Sequence, residues 1–147
     1  MGKDEVDDAP ANGLLAALPR ASRKLLLAKT QLISLSVKDI LYHPGDPITS
    51  VYFPLTCVIS MMMEMKNGAT VEIATVGNEG VLGIPAFLGI DVAIARGITQ
   101  VSGEARRMSV KDFKEAAKSD ELFDTILRRY THALLMQIAF SGGCNSL

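Results

Sequence analysis

Two histidines and two cysteines are the residues best suited to metal or covalent chemistry here, and their spacing argues against both. His43 and His132 lie 89 residues apart, and Cys57 and Cys144 lie 87 apart, with no CxxC and no ligand-spaced cluster. A nucleophilic Cys–His pair needs the two side chains within hydrogen-bond reach, and nothing in the spacing supplies that. Two reduced thiols are the expected state. The sequence therefore assigns no catalytic residue and no metal ligand, and we expect no enzyme. Arg106, Arg107, Lys111 and Lys114 could form a basic face. Glu104, Asp112 and Glu115 interleave with them, which is the pattern of a solvated face and not of a nucleic-acid site.

The chain has 147 residues, 48% of them hydrophobic, enough for one domain with a sizeable core. A net charge of -1 excludes a chain that grips nucleic acid by bulk charge. Asp4, Glu5, Asp7 and Asp8 against Lys3 alone are not a secretory start. The longest apolar stretches, 51–63 and 80–95, are broken by Pro54, by Pro85 and by Asp91. Neither offers the ~20 clean residues of a membrane span. We expect a protein of the cytoplasm.

Residues 1–11 read as a disordered acidic lead-in. Asn12 can cap a helix over 13–18, and Pro19 suits the first turn of a second helix that runs to about Lys29. From Gln31, short apolar runs alternate with turn signals, which predicts a sandwich or barrel. Strands are expected over 31–36, 39–42, 50–55, 57–65, 70–76, 80–82, 96–101 and 103–109. Ile59, Met61, Met63 and Met65 share one strand face and read as core filler. A three-residue Lys66-Asn67-Gly68 turn, with Gly68 left-handed, would pair Met63 with Val71 and Met61 with Ile73.

The last third turns helical. Ser109 can cap a helix over 110–118, and Ser119 or Asp120 can start a longer one over 121–141. Leu122, Phe123, Ile126, Leu127 and Tyr130 sit at helical spacing, with Arg128 and Arg129 opposite. Residues 133–140 are apolar nearly all round, so this helix must cover two surfaces. One is its own barrel; the other calls for the same helix of a second copy, an isologous homodimer through 121–141. The candidate interface residues are Tyr130, Leu134, Met136, Gln137 and Phe140.

Eight segments in order carry a resemblance over about residues 12–147. They are Asn12-Gly13-Leu14-Leu15-Ala16-Ala17-Leu18-Pro19, Tyr42-His43-Pro44-Gly45-Asp46-Pro47, Val51-Tyr52-Phe53-Pro54 and Asn67-Gly68-Ala69-Thr70-Val71-Glu72. Val76-Gly77-Asn78-Glu79-Gly80-Val81-Leu82-Gly83, Gln100-Val101-Ser102-Gly103-Glu104-Ala105, Arg128-Arg129-Tyr130 and Cys144-Asn145 complete the set. Together they resemble the effector domain of the Crp–Fnr family of bacterial transcription regulators. The resemblance implies a mainly β fold with flanking helices: a double-stranded β-helix, or jelly roll, of cyclic-nucleotide-binding-like type plus a long C-terminal dimer helix. It implies a small-molecule effector and DNA binding only through a further helix-turn-helix domain. The expected organisation is a lead-in over 1–11, a β-roll sensor over 12–119 and a dimerisation helix over 120–147, cut before that domain. Gly142-Gly143 is expected to interrupt the helix there.

A cyclic-nucleotide pocket needs backbone N–H groups and a guanidinium for the phosphate, and an acceptor for the ribose. The matching segment is 77–96, with candidate ligand residues Gly77, Gly80, Val81, Leu82, Gly83, Ile84, Ala86 and Arg96. The family's Gly-Glu pair is missing, because Leu82-Gly83 stands about where it belongs. Arg96 matches the phosphate-binding arginine under one gap placement; under another, Ala93 takes that position. A cyclic nucleotide is thus one candidate cofactor with a degenerate motif. A different small ligand and a ligand-free scaffold stand beside it. The Fnr-type iron–sulfur cluster would need cysteines before Cys57, and none is there. A metal-bearing cupin would need His-rich strands, which two isolated histidines do not supply. The leading expectation is a ligand-sensing regulatory domain that signals through a dimer helix; the alternative is a scaffold or protein-interaction domain.

Overall fold

A computed structural model describes residues 11–146, with side chains through Ser141. The lead-in expected over 1–11 falls almost wholly outside the described residues, and so does the side chain of Cys144. Seven strands form: β1 (Thr30–Leu35), β2 (Ile40–Tyr42), β3 (Ser50–Pro54), β4 (Val58–Glu64), β5 (Thr70–Val76), β6 (Arg96–Val101) and β7 (Gly103–Ser109). They make two antiparallel sheets, ordered β1-β7-β3 and β2-β6-β4-β5. This is the mainly β jelly roll with flanking helices that the sequence led us to expect. The strand expected over 80–82 does not form. There the chain makes one bridge, in which Leu82 N–H donates to Tyr52 O at 2.8 Å and Tyr52 N–H donates back at 3.1 Å. Gly83, at φ +128°, then turns the backbone away before a ladder can grow.

Local chemistry accounts for the helices: α1 (Gly13–Ala16), α2 (Arg20–Ala28), α3 (Ile84–Phe87), α4 (Val110–Ser119) and α5 (Glu121–Ser146). Ser109 Oγ accepts from Asp112 N–H at 3.1 Å, and Asp120 Oδ1 accepts from Leu122 and Phe123 N–H at 3.1 and 3.2 Å. These side chains satisfy amides that an N-terminus leaves without helical partners. Pro19 stands one residue earlier than expected, at the N-cap of α2. The expected end of the long helix at Ser141 is corrected, because α5 continues across Gly142 and Gly143 to Ser146. Glycine costs ~1 kcal/mol in a helix relative to alanine but does not bar it as proline does.

The β4–β5 hairpin turns as expected through Lys66-Asn67-Gly68. Met65 N–H donates to Ala69 O at 2.7 Å, and Gly68 sits at φ +86°. Met63 faces Val71, but Met61 faces Ala74 and not Ile73. A bulge leaves Ile73 unpaired and exchanges the faces of β5 beyond it. Ala74 and Val76 therefore enter the core, while Ile73 packs against it only partly buried. Met61 is core filler, whereas Met63 and Met65 are 37% and 48% exposed near the hairpin tip.

Phe53, Phe113 and Phe123 stack edge to face at 6.2 and 6.0 Å and tie β3, α4 and α5 into one core. Leu127, fully buried, extends that contact along α5. Further on, α5 lies along the open edge of β5. Gln137 Oε1 accepts from Thr75 N–H at 2.8 Å, and Ser141 Oγ donates to Glu72 O at 3.3 Å. Two helix side chains thus meet backbone groups that an edge strand leaves unpaired.

Candidate functional site

The segment 77–96 crosses between the sheets and is fastened at both ends. At its start, Asn12 is buried and uses its whole amide. Oδ1 accepts from Leu14 and Leu15 N–H at 3.0 and 3.3 Å, while Nδ2 donates to Gly80 O at 2.7 Å and Pro54 O at 3.0 Å. Gly13 N–H donates to Asn78 O at 2.6 Å. Gly80 lies under the Tyr130 ring of α5, where a Cβ would stand 2.2 Å from the tyrosine hydroxyl oxygen. At Gly83 a Cβ would stand 2.5 Å from Val51 Cγ1, so both the backbone angle and the space demand glycine. Pro85 occupies the first turn of α3. At the far end, Ile48 N–H donates to Asp91 O and Gly45 N–H donates to Ala93 O, both at 2.8 Å.

Under this segment is a cavity closed on its far side by β6 and α5. Of the candidate ligand residues, Val81, Leu82, Gly83 and Ile84 line it; Gly77, Gly80, Ala86 and Arg96 do not. Tyr42, Ile48, Met61, Pro85, Ala93, Ile94, Ala95, Gly97 and Leu134 complete the wall. The space open to a water-sized sphere is ≈ 20 Å³. Tyr42 is the one wall residue with a polar side chain. Its hydroxyl lies 2.6 Å from Ser50 O, to which it donates, and 3.3 Å from Leu82 O. Burial, and to a lesser degree neighbouring Tyr52, push the Tyr42 phenol well above its ordinary range.

Arg96 opens β6 beside Met62 of β4. Gly97, the next residue, lines the cavity, so pleating sends the Arg96 side chain to the opposite face. Its Nε is buried with no hydrogen-bond partner. Of the two gap placements left open by the sequence, the one that aligns Ala93 puts its residue in the cavity wall. A cyclic nucleotide does not fit this site: no cationic side chain lines it, and the free space is ≈ 20 Å³ against ~300–1,000 Å³ for ordinary ligand pockets.

The five dimer-interface candidates divide between two faces of α5. Tyr130 and Leu134 are buried against their own chain, and Gln137 holds the β5 edge. Met136 and Phe140 are 49% and 72% exposed, with Leu135 beside them at 57%. Tyr130 is held above its ordinary range by burial and then by the nearby Glu79 carboxylate. Arg128 places its guanidinium 5.9 Å from the Phe87 ring centroid and bonds Asp124 at 2.6 Å, tying α5 to α3.

His43 and His132 are exposed on separate elements. Among the described residues no three His, Cys, Asp or Glu side chains come close enough to hold a metal ion. Cys57 is buried, and desolvation pushes its thiol up, away from the thiolate. On the basic face, Arg107 donates to Gln31 Oε1 and Lys114 pairs with Asp91 at 2.6 Å. Ala93 was already the alternative in the cassette; Tyr42, Gly97 and Leu134 escaped sequence reasoning as cavity residues. They lie on three separate elements, and only the folded chain brings them together.

Two antiparallel sheets rolled around an apolar cavity, with a short helix in one crossing and a long helix behind, define a jelly-roll domain. Residues 32–120, more than half of the chain, match the model of the cyclic nucleotide-binding domain, and the chain belongs to that family. No curated protein matches the sequence significantly. Among solved structures it is similar to the N-terminal domain of a transcriptional regulator from Streptomyces coelicolor A3(2). That likeness has TM-score 0.65 and 21% identity over 88% of this chain and 91% of the other. It is also similar to the catabolite activator protein of Thermus thermophilus, at TM-score 0.73 and 15% identity over 91% of this chain. There it spans 63% of the other's length. A cyclic nucleotide-binding domain from Methylobacillus flagellatus KT matches at TM-score 0.71 and 16% identity, over 94% of this chain and 81% of that one. No helix among the described residues is long and apolar enough to cross a membrane.

Proposed function

We propose that this domain is the effector half of a Crp–Fnr-type transcription regulator, a non-catalytic cytoplasmic module that signals through α5 to a second copy of itself. One observation carries the reading: α5 faces two ways. Tyr130 and Leu134 abut the cassette segment and the cavity, while Leu135, Met136 and Phe140 stand exposed on the same helix. A change in the cavity would be felt directly by the helix that meets the partner, a population shift between two packings. DNA contact would belong to another domain. The small cavity favours the second reading, a scaffold that has lost its ligand.

Light scattering and calorimetry test both. The effector reading expects a dimer at ~100 μM, as for a pair with sub-micromolar Kd. It expects a Met136→Asp, Phe140→Asp double variant to be a folded monomer. Cyclic AMP and cyclic GMP should give no heat with the wild type or with Arg96→Ala. A monomeric wild type overturns the two-copy reading. Heat with cyclic AMP that vanishes in Arg96→Ala overturns our account of the cavity.

A further inference from the structure

We propose that the cavity takes a small, uncharged, apolar molecule in place of a phosphate ester. This rests on the effector-domain reading and names the chemical class of its ligand.

The wall chemistry comes first. Every wall side chain is aliphatic, thioether or absent, apart from Tyr42, and the Tyr42 proton is already given to Ser50 O. A phosphate brought here would lose its water and gain no cation, because Arg96 points to the other face of β6. Burying an unpaired charge costs several kcal/mol or more. An alkyl or aryl group meets no such cost, and removing it from water is favourable.

The shape of the wall comes second. Gly83, Ala93, Ala95 and Gly97 contribute little or no side-chain bulk to the wall. Met61, Ile94 and Leu134 contribute larger side chains that can change rotamer. Met61 has three rotatable bonds. Ile94 is 54% exposed, so it can turn outward with little loss of packing. Leu134 rides on α5, so displacing it also pulls on Gln137, one turn further on, and on its bond to Thr75. A guest would enlarge the ≈ 20 Å³ seen here by displacing those three side chains past the small residues beside them.

The approach comes third. Leu88, Ile90, Val92 and Ile94 are 44–55% exposed along one short stretch, and Ile94 is also a wall residue. Ile94 thus joins exposed apolar surface to the wall.

The test uses the whole chain with methyl-¹³C methionine. Titration with 1-decanol should move the Met61 methyl resonance saturably and leave Met63 and Met65 in place. Millimolar cyclic AMP should leave Met61 unmoved. Arg96→Ala should bind decanol as the wild type does. Ala93→Phe, which puts bulk into the wall, should weaken it about tenfold or more, since added bulk in a packed site is unfavourable. A decanol response confined to Met63 and Met65, or none at all, overturns the proposal, and so does an Arg96-dependent response of Met61 to cyclic AMP. The wild-type spectra decide the matter even where Ala93→Phe does not fold. Light scattering on the same samples separates the two readings. A monomer whose Met61 still answers decanol removes only the two-copy reading. A dimer whose Met61 stays silent removes only the ligand class.

Discussion

Asn12 shows how much one buried amide can decide. Its oxygen caps α1 and its nitrogen holds the carbonyls of Pro54 and Gly80 together. Asn12→Asp keeps the capping acceptor but turns a carboxylate oxygen toward two carbonyls. We expect it to destabilise the fold by ~3–5 kcal/mol, more than Asn12→Ala, because it leaves a buried charge facing like dipoles. Urea midpoints at neutral pH read the difference, and equal losses would mean that the Nδ2 contacts matter little. Tyr42 gives a second prediction, in pH. Its folded-state pKa lies above the ordinary 10.0, so the unfolded chain loses this proton first. The stability tied to it is complete below pH ~10 and falls as pH rises beyond, by up to ~1.4 kcal/mol per pH unit. Tyr42→Phe should flatten that alkaline decline in melts taken above pH 10, and Tyr130 contributes with the same sign.

At the scale of elements, what could be read from the sequence was what is local. Caps at Asn12 and Ser109 and the three-residue turn at Gly68 follow from chemistry within four residues and are where the pattern put them, and of the two candidates Ser119 and Asp120 it is Asp120 that caps α5. Asp120→Ala should therefore cost ~1 kcal/mol, the usual loss of a cap, with α5 fraying at Leu122 and Phe123 in hydrogen exchange. The misses were non-local. The bulge at Ile73 arises in the pairing of β5 with β4, so alternation alone paired Met61 with Ile73 where the fold pairs it with Ala74. The 80–82 run is apolar enough for a strand, but its neighbours leave it one bridge to Tyr52. Helical spacing showed that α5 has two apolar faces. It could not show that Tyr130 and Leu134 belong to the inner one. The cavity was half legible: glycines flagged the cassette, while Tyr42 and Leu134 come from elements 35 residues before it and 38 after it in sequence.

At the scale of the molecule, α5 binds the parts into one unit. It carries the aromatic stack through Phe123, covers Gly80 with Tyr130, closes the cavity with Leu134 and meets the β5 edge with Gln137. Gln137→Ala should leave the melting temperature within a few degrees, as for loss of one exposed hydrogen bond of ~1 kcal/mol. It should nonetheless speed amide exchange at Thr75 selectively. The same contact has a colloidal side. While the helix lies in place, the outermost strand of the four-stranded sheet has its Thr75 amide and Glu72 carbonyl occupied. Any excursion that lifts the helix offers those groups to the next molecule, as a template for strand-to-strand growth. The helix that would carry the signal thereby also guards solubility, and conditions that loosen it should first show as turbidity.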